Sequence, residues 1–348
     1  MLNNVVKILL FLSIAILAMS VSKKIKKNKK EITIGFGGDT MLGRLVNEKI
    51  DQAGYAYVWG NVLPLLKKND LNIINLETTL TRSKKKVPKV FNFKTTPDKV
   101  QALKVANIGV VNLANNHMLD FSKEGLIETL QTLKNAGIHY VGAGKTIQEA
   151  KKPAIIEKNG IKIGVIGYTD YPKDWKATET KPGTNVIDIG DIEQIKKDIK
   201  DVRKKVDLLV LSIHWGPNKR ERPTKAFQDF AHQMLDAGID IIHGHSAHIF
   251  QGVERYGDKL ILYDTGDFVD DYMIGPVIRN DWSFLFQVTI DKSGIKNVKL
   301  IPLLINNMQV NLAPDTEKEK IIAHMKKLSA KFGTKIGNNA TVEINNKK

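Results

Sequence analysis

From residue 32 onward the chain repeats one pattern, a short unbroken apolar run followed at once by polar residues. Ile32 to Gly37 ends in Gly37-Gly38-Asp39, and Leu71 to Leu76 ends at Glu77. Ile108 to Leu113 runs into Ala114-Asn115-Asn116-His117, Leu208 to Ile213 into His214, and Ile239 to Ile242 into His243-Gly244-His245. Runs this short and this apolar predict strands buried on both faces. Ile138 to Val141, Ala154 to Ile156, Ile161 to Gly167, Leu260 to Tyr263 and Phe284 to Ile290 read as further strands.

Between them the period lengthens. Pro97 to Ala106 predicts a helix, and Ser122 is placed to cap another that runs through Asn135, with Gly137 just past its end. Ile192, Ile195, Ile199, Val202 and Val206 keep helical spacing. Thr224 is placed to cap a helix holding Phe227, Phe230 and Leu235, and Glu317 to Lys331 reads as a terminal helix. Strands alternating with helices predict an α/β domain over residues 32–310, followed by a C-terminal helix and tail over 311–348. Gly337 to Lys348 is polar and reads as loose.

In open α/β sheets, ligands bind beyond the carboxyl ends of strands. Here five such ends carry Asp39, Glu77, Asn116-His117, His214 and His245, all side chains that bind metals. One polar strand end is ordinary; five of this kind predict a common site.

Composition narrows the chemistry. The chain has no cysteine, so disulfides and zinc–thiolate sites are excluded and a metal must be held by His, Asp, Glu or Asn. The net charge of +16 is concentrated in part in six lysines between Lys23 and Lys30. No aromatic-basic ladder accompanies it, so specific nucleic-acid binding is not expected, and attraction to an anionic polymer is the weaker implication that survives.

Ile8 to Val21 is a 14-residue apolar run after Lys7. As a helix it would span ~21 Å, short of the roughly 30 Å of bilayer hydrocarbon. Residues 1–21 therefore read as a signal peptide, with Ala18-Met19-Ser20 offering a cleavage site, or as a short anchor, with 22–31 as a basic linker. Lysines just beyond the run oppose translocation. The expectation is an exported protein, secreted or membrane-tethered at the outer face.

Two divalent ions ~3.5–4 Å apart need carboxylates, one of them bridging, together with neutral donors. Asp39 and Glu77 supply carboxylates, Asn116 an amide oxygen, and His214, His245 and His248 imidazoles. That mixture suits one or two ions of Mn, Zn or Fe better than Ca or Mg. His117, free of metal, is placed to protonate a leaving oxygen, with Asp120 three residues on to orient it. Each residue also has a plainer reading: Asp39 capping a turn, Glu77 an exposed strand-end charge, Asn115-Asn116 a turn pair, His214 a satisfied core histidine. Three histidines in six residues at 243–248 are harder to explain that way. His139, His232 and His324 read as structural or exposed. The acidic run YDTGDFVDD reads by default as a solvated loop, with Asp267 its best candidate for supporting the site.

GGDTMLGR, NLETTLT, LANNHMLDF, IHWG, GHSAHIFQGVE and YDTGDF, in that order over about Ile32 to Tyr272, resemble the CapA family of poly-γ-glutamate capsule biosynthesis proteins, a divergent branch of the calcineurin-like metallophosphoesterases. The resemblance implies a layered α/β/β/α sandwich with a two-metal centre. It implies Asp39 on the first metal, Glu77 bridging, Asn116 and His214 on the second, and His245 and His248 completing the two shells. His117 would be the acid, and Arg44 would face an anionic substrate. Met41 stands where the superfamily usually has the histidine of Asp-x-His, and the closing Gly-His-x-His is stretched to Gly244-His245-Ser246-Ala247-His248. The implied function is capsule synthesis, export or anchoring, with poly-γ-glutamate and a membrane synthesis or export complex as partners. A phosphoesterase acting on another phosphate compound, or a non-catalytic polymer- or partner-binding subunit, are the alternatives.

Overall fold

The structure, a computed structural model, describes residues 31–275 and 277–343. The signal or anchor assignment for residues 1–21, nearly all of the basic linker and residues 344–348 lie outside the described residues.

The apolar runs pair into two large sheets. The first runs in the order Gln309–Leu312, Gly294–Asn306, Trp282–Asp291, Ile32–Thr40, Leu71–Leu76, Ile108–Asn112 and His139–Val141. Its last four strands are mutually parallel. The second runs Val253–Tyr256, Lys259–Leu262, Ile241–His245, Leu208–His214, Ile161–Thr169 and Ala154–Lys158, with its middle four parallel.

Neighbouring residues on these strands serve different cores, which is why the sequence shows runs rather than alternation. Ile73, Val110, Val165, Val210 and Ile241 pack between the two sheets. Their successors Ile74 and Val111 pack outward against Val46, Leu103, Leu126 and Leu130 on helices covering the first sheet. Ile166, Leu211 and Ile242 pack outward against Ile195, Ile199, Phe230 and Leu235 on helices Glu193–Arg203 and Lys225–Asp236. The result is the expected α/β/β/α sandwich of mixed sheets.

Local signals held unevenly. Thr224 caps its helix by accepting the N–H of Phe227, and Gly137 ends helix Ser122–Ala136 in the left-handed region at φ 72°. Ser122 does not cap: it is itself the first helical residue at φ 61°, and its hydroxyl donates to the Lys85 carbonyl. The tail expected to be loose is pinned over 337–343, where Leu300 N–H reaches Ala340 O and Val342 N–H reaches Val298 O. Burial of Val342 accounts for this. Strand Gln309–Leu312 extends the first sheet across residue 310. Among the described residues, no helix is long and apolar enough to cross a membrane.

Candidate metal centre

The carboxyl ends of the parallel strands of both sheets meet at one seam. One close backbone approach joins the two sheets there and another tightens the second sheet, and each requires glycine. A Cβ on Gly38 would sit 1.7 Å from Gly266 O, and one on Gly244 2.1 Å from Tyr263 O. The first lets Asp39 N–H donate to Gly266 O at 2.9 Å. Strand Ile32–Thr40 changes partner there, leaving Trp282–Asp291 and taking up Asp267–Val269 in parallel, so that Asp39 and Asp267 stand in register. The loop that follows His245 turns sharply, with Ser246 at φ 121° and His248 at φ 57°. Such strain in non-glycine residues is held in place by its surroundings and clusters at functional sites.

Five of the six expected ligands converge. Asp39 Oδ1 lies 3.8 Å from His214 Nδ1 and 3.8 Å from His245 Nδ1, and Asp39 Oδ2 lies 3.4 Å from His248 Nδ1. Glu77 Oε1 is 3.8 Å from His214 Nε2, and Oε2 is 4.0 Å from His248 Nδ1. Two donor groups result, Asp39–His214–His245 and Asp39–Glu77–His248, each compact enough for one ion. Asn116 belongs to the same end, and its side-chain oxygen is buried without a hydrogen-bond partner.

The residues fit divalent ions on an observation independent of any resemblance. Both carboxylate oxygens of Glu77 are buried with no hydrogen-bond partner, as is Asp267 Oδ2. A buried carboxylate left unpaired costs several kcal/mol, and coordination to a cation removes that cost. Nitrogen and oxygen donors in this mixture suit Mn, Zn or Fe.

His117 stands at the edge of the centre. Its Nδ1 lies 2.6 Å from Asp120 Oδ2, which fixes the proton on Nδ1 and leaves Nε2 toward Glu77 Oε1 at 3.8 Å. Phe93 stacks on the imidazole with centroids 4.0 Å apart. Asp120 also accepts the Phe93 N–H at 2.6 Å and Lys89 Nζ at 2.9 Å.

Electrostatics follow from burial. Asp39 is pushed up to about 7 by burial, with the Asp267 charge adding to the rise and His248 opposing it. Burial and then the Asp39 charge hold Glu77 well above the carboxylate range. Burial forces His214 and His245 far down, and it lowers His117 to about 4 against the pull of Asp120. His248 runs the other way: burial lowers it, but the charges of Asp267 and Glu77 more than compensate and hold it well above its usual value.

Arg44, which the resemblance sets toward an anionic substrate, is partly exposed and already paired. Its guanidinium chelates Asp271 and lies over the rings of Phe93 and Tyr272. The acidic run is no solvated loop: Asp264, Asp267 and Asp270 are buried, and Asp264 accepts the N–H groups of Ala247 and Gly266. A strand there, Asp267–Val269, pairs with a central strand and excludes water. His243 is structural, bonding Ser212 and Gly37 O.

The sequence reading missed Asn75, Lys89, Phe93 and Tyr272. Asn75 donates to Asp39 Oδ1 at 2.7 Å, and an asparagine two residues before Glu77 in an apolar strand was its available signal. The Tyr272 hydroxyl is buried and unpartnered beside His248. Lys89, in a lysine-rich stretch, carried no distinguishing signal.

The fold and these donors define a layered α/β protein with a candidate metal centre built from two donor groups. The family model for the bacterial capsule synthesis protein PGA_cap matches residues 33–272, and the chain belongs to that family. It is 34% identical to the capsule biosynthesis protein CapA of Bacillus anthracis, over 81% of this chain and 69% of that one. It is 31% identical to the PGA biosynthesis protein CapA of Bacillus subtilis, over 88% of this chain and 80% of that one. Its likeness to the solved 5'-nucleotidase precursor of Thermus thermophilus is looser, 13% identity with a TM-score of 0.47 over 86% of this chain and 59% of that one.

Proposed function

We propose that the protein acts in poly-γ-glutamate capsule synthesis, export or anchoring at the cell surface, through a metal-dependent, hydrolase-like centre. Membership of the capsule synthesis family supports the capsule role. The observation that carries the metal-dependent part is Glu77, buried with both oxygens unpartnered among His117, His214 and His248. Export to the outer face, secreted or tethered, rests on the apolar run of residues 8–21 that follows Lys7.

In this reading Asp39, Glu77 and His248 would hold one ion, and Asp39, His214 and His245, with Asn116, would hold the other. Bound ions would supply Lewis-acid polarisation and the means to make water a nucleophile near neutral pH. The rest is the chain's own work. Asp120 keeps the proton on His117 Nδ1, so Nε2 faces the centre as the group that moves a proton. Burial holds His117 neutral at pH 7, so Nε2 starts as an acceptor and becomes an acid only after taking a proton. The stretch 82–94, which supplies Phe93 and Lys89 to this edge, exposes Arg82, Lys84 and Lys86 to solvent, which suits an anionic polymer. Partners in a membrane synthesis or export complex belong to the same proposal.

The test is capsule production in a strain lacking the protein, complemented with the wild type, His117→Ala or Asp39→Ala. Capsule restored by the wild type alone supports a chemical role. Restoration by all three with normal protein levels would favour a binding subunit. A purified chain that hydrolyses phosphodiesters while capsule is unaffected would favour a phosphoesterase with another substrate.

A further inference from the structure

We propose that Asn75 is a positioning residue for the centre: it aims the Asp39 carboxylate and, through Asn115, ties that carboxylate to the main chain of His117. The inference rests on the metal-centre reading above and adds to it the device that sets its geometry.

Strand register places the parts. Asp39, Asn75 and Asn112 stand side by side on three adjacent parallel strands, and all three are buried. Asn115, just beyond the third strand, is buried as well. A buried amide is costly unless its polar atoms are paired, so a cluster of three asparagines between two apolar cores needs a reason.

The hydrogen bonds run in one direction. Asn75 Oδ1 accepts from Asn112 Nδ2 at 3.0 Å and from Asn115 Nδ2 at 3.1 Å. With both lone pairs taken, Asn75 turns its amide nitrogen to the centre. There it donates to Asp39 Oδ1 at 2.7 Å and lies 3.4 Å from His214 Nδ1. One amide thus touches two members of the donor group Asp39–His214–His245. A flipped Asn75 would set its NH₂ against two other NH₂ groups and its oxygen against a carboxylate, so no second orientation competes. The supporting amides are fixed in turn: Asn112 Nδ2 also donates to Ala114 O at 2.9 Å, and Asn115 Nδ2 to Leu76 O at 2.9 Å. Asn115 Oδ1 accepts the His117 N–H at 3.0 Å, which completes a hydrogen-bonded path from Asp39 through Asn75 and Asn115 to His117.

Two features separate this cluster from ordinary core filling. Asn112 Oδ1 is buried without a hydrogen-bond partner, in a space left by two glycines. A Cβ on Gly167 would sit 2.5 Å from that oxygen, and one on Gly142 2.9 Å. An apolar side chain would leave no such orphan, so the use of Asn112 lies in its Nδ2 end, which faces Asn75 and Ala114 O. The second feature is the division of Asp39. Oδ1 takes Asn75 and lies 3.8 Å from both His214 and His245, whereas Oδ2 takes the Ser246 N–H at 3.2 Å and lies 3.4 Å from His248. Each oxygen has its own fixed donor and faces its own donor group. Without Asn75, nothing but the ions themselves would keep Oδ1 turned to His214 and His245.

The test is Mn²⁺ binding by calorimetry to the chelator-stripped full-length chain, with Asn75→Ala set beside Asn72→Ala. Asn72 is the control, a buried asparagine on the same strand that donates to Leu66 O and Ala106 O, away from the centre. Both variants remove a buried amide. Asn75→Ala is expected to weaken Mn²⁺ binding at least about tenfold and Asn72→Ala to leave it within about twofold, because donors behind metal ligands set affinity on that scale. Wild-type affinity in Asn75→Ala, or equal losses in the two variants, overturns the inference and leaves the metal centre standing. Because Asn75→Ala can misfold, the wild type supplies a second measurement. Zn²⁺ loading holds Asp39, and the His117 amide at the far end of the path is expected to exchange with deuterium at least about threefold more slowly by NMR. Asn115→Ala is expected to lose that response while still taking up Zn²⁺. A His117 exchange rate unchanged at a saturated site overturns the path to His117. Wild-type protein that takes up neither ion overturns the metal-centre reading and this inference together.

Discussion

His117 Nδ1 and Asp120 Oδ2 lie 2.6 Å apart, and the same carboxylate gathers the Phe93 N–H and Lys89 Nζ. Asp120 is therefore the hub that fixes His117, and its removal strands His117 Nδ1 and the Phe93 N–H while Lys89 keeps the Asn116 carbonyl. Asp120→Ala is expected to cost roughly 3 kcal/mol in urea unfolding, the scale of a broken buried charge network. A loss below about 1 kcal/mol would show that the hub carries little of the local order.

His117 and Asp39 should part company in metal binding. His117 turns Nε2 toward the centre from outside both donor groups, whereas Asp39 belongs to both. His117→Ala is expected to keep wild-type metal content while losing any hydrolytic activity, and Asp39→Ala to lose both. Elemental analysis of the two purified variants checks this; equal metal loss would make His117 a ligand.

Glu77→Gln should act with opposite signs on the two forms of the protein. Without metal, the change removes a carboxyl that folding must protonate to bury, its oxygens unpartnered and beside Asp39. The stripped variant is expected to melt roughly 2 °C or more above the stripped wild type. With Mn²⁺ present the order should reverse, because the best anionic donor is gone. Calorimetry on both forms, with and without chelator, decides it.

The pH response of the metal-free chain has a definite sign. Folding lowers His117, His214, His243 and His245 below 6.5; in the unfolded chain they are half protonated at pH 6.5, and only above about pH 7.5 are they deprotonated in both states, where they drop out. Asp39 is raised from 3.8 to about 7, and Glu77 and His248 are also raised by folding. Above about pH 7.5 the folded chain still holds protons that the unfolded chain has shed, so stability falls as pH rises. The melting temperature in chelator is expected to fall between about pH 7.5 and 8.5, while Mn²⁺ restores more of it at the higher pH. A flat profile in chelator would contradict the buried-charge account.

Much of this was legible in the sequence because strands buried on both faces write themselves as uninterrupted apolar runs, and the polar residue after each run falls at a strand end. Leu71–Leu76 with Glu77 and Leu208–His214 are cases in point. What stayed hidden depends on contacts between distant segments. Asp267 reads as one of several acids in a loop until strand Ile32–Thr40 changes partner beside it. Ser122 resembles a cap until its hydroxyl is found on Lys85 O, and Lys89 looks like any surface lysine until the stretch 82–94 lays it on Asp120. The pairing of Arg44 stayed hidden because nothing near it in sequence announces Asp271, 227 residues away.

The central claim is that the donors at the seam of the two sheets form a divalent-metal centre. The most direct measurement is elemental analysis of the chelator-stripped chain reloaded with Mn²⁺, Zn²⁺ or Fe²⁺, alongside Asp39→Asn and His214→Ala. The account predicts that the wild type retains one or two ions per chain after desalting, and that each substitution removes at least one. A correctly folded wild type that retains none, with a melting temperature indifferent to all three metals, would contradict it.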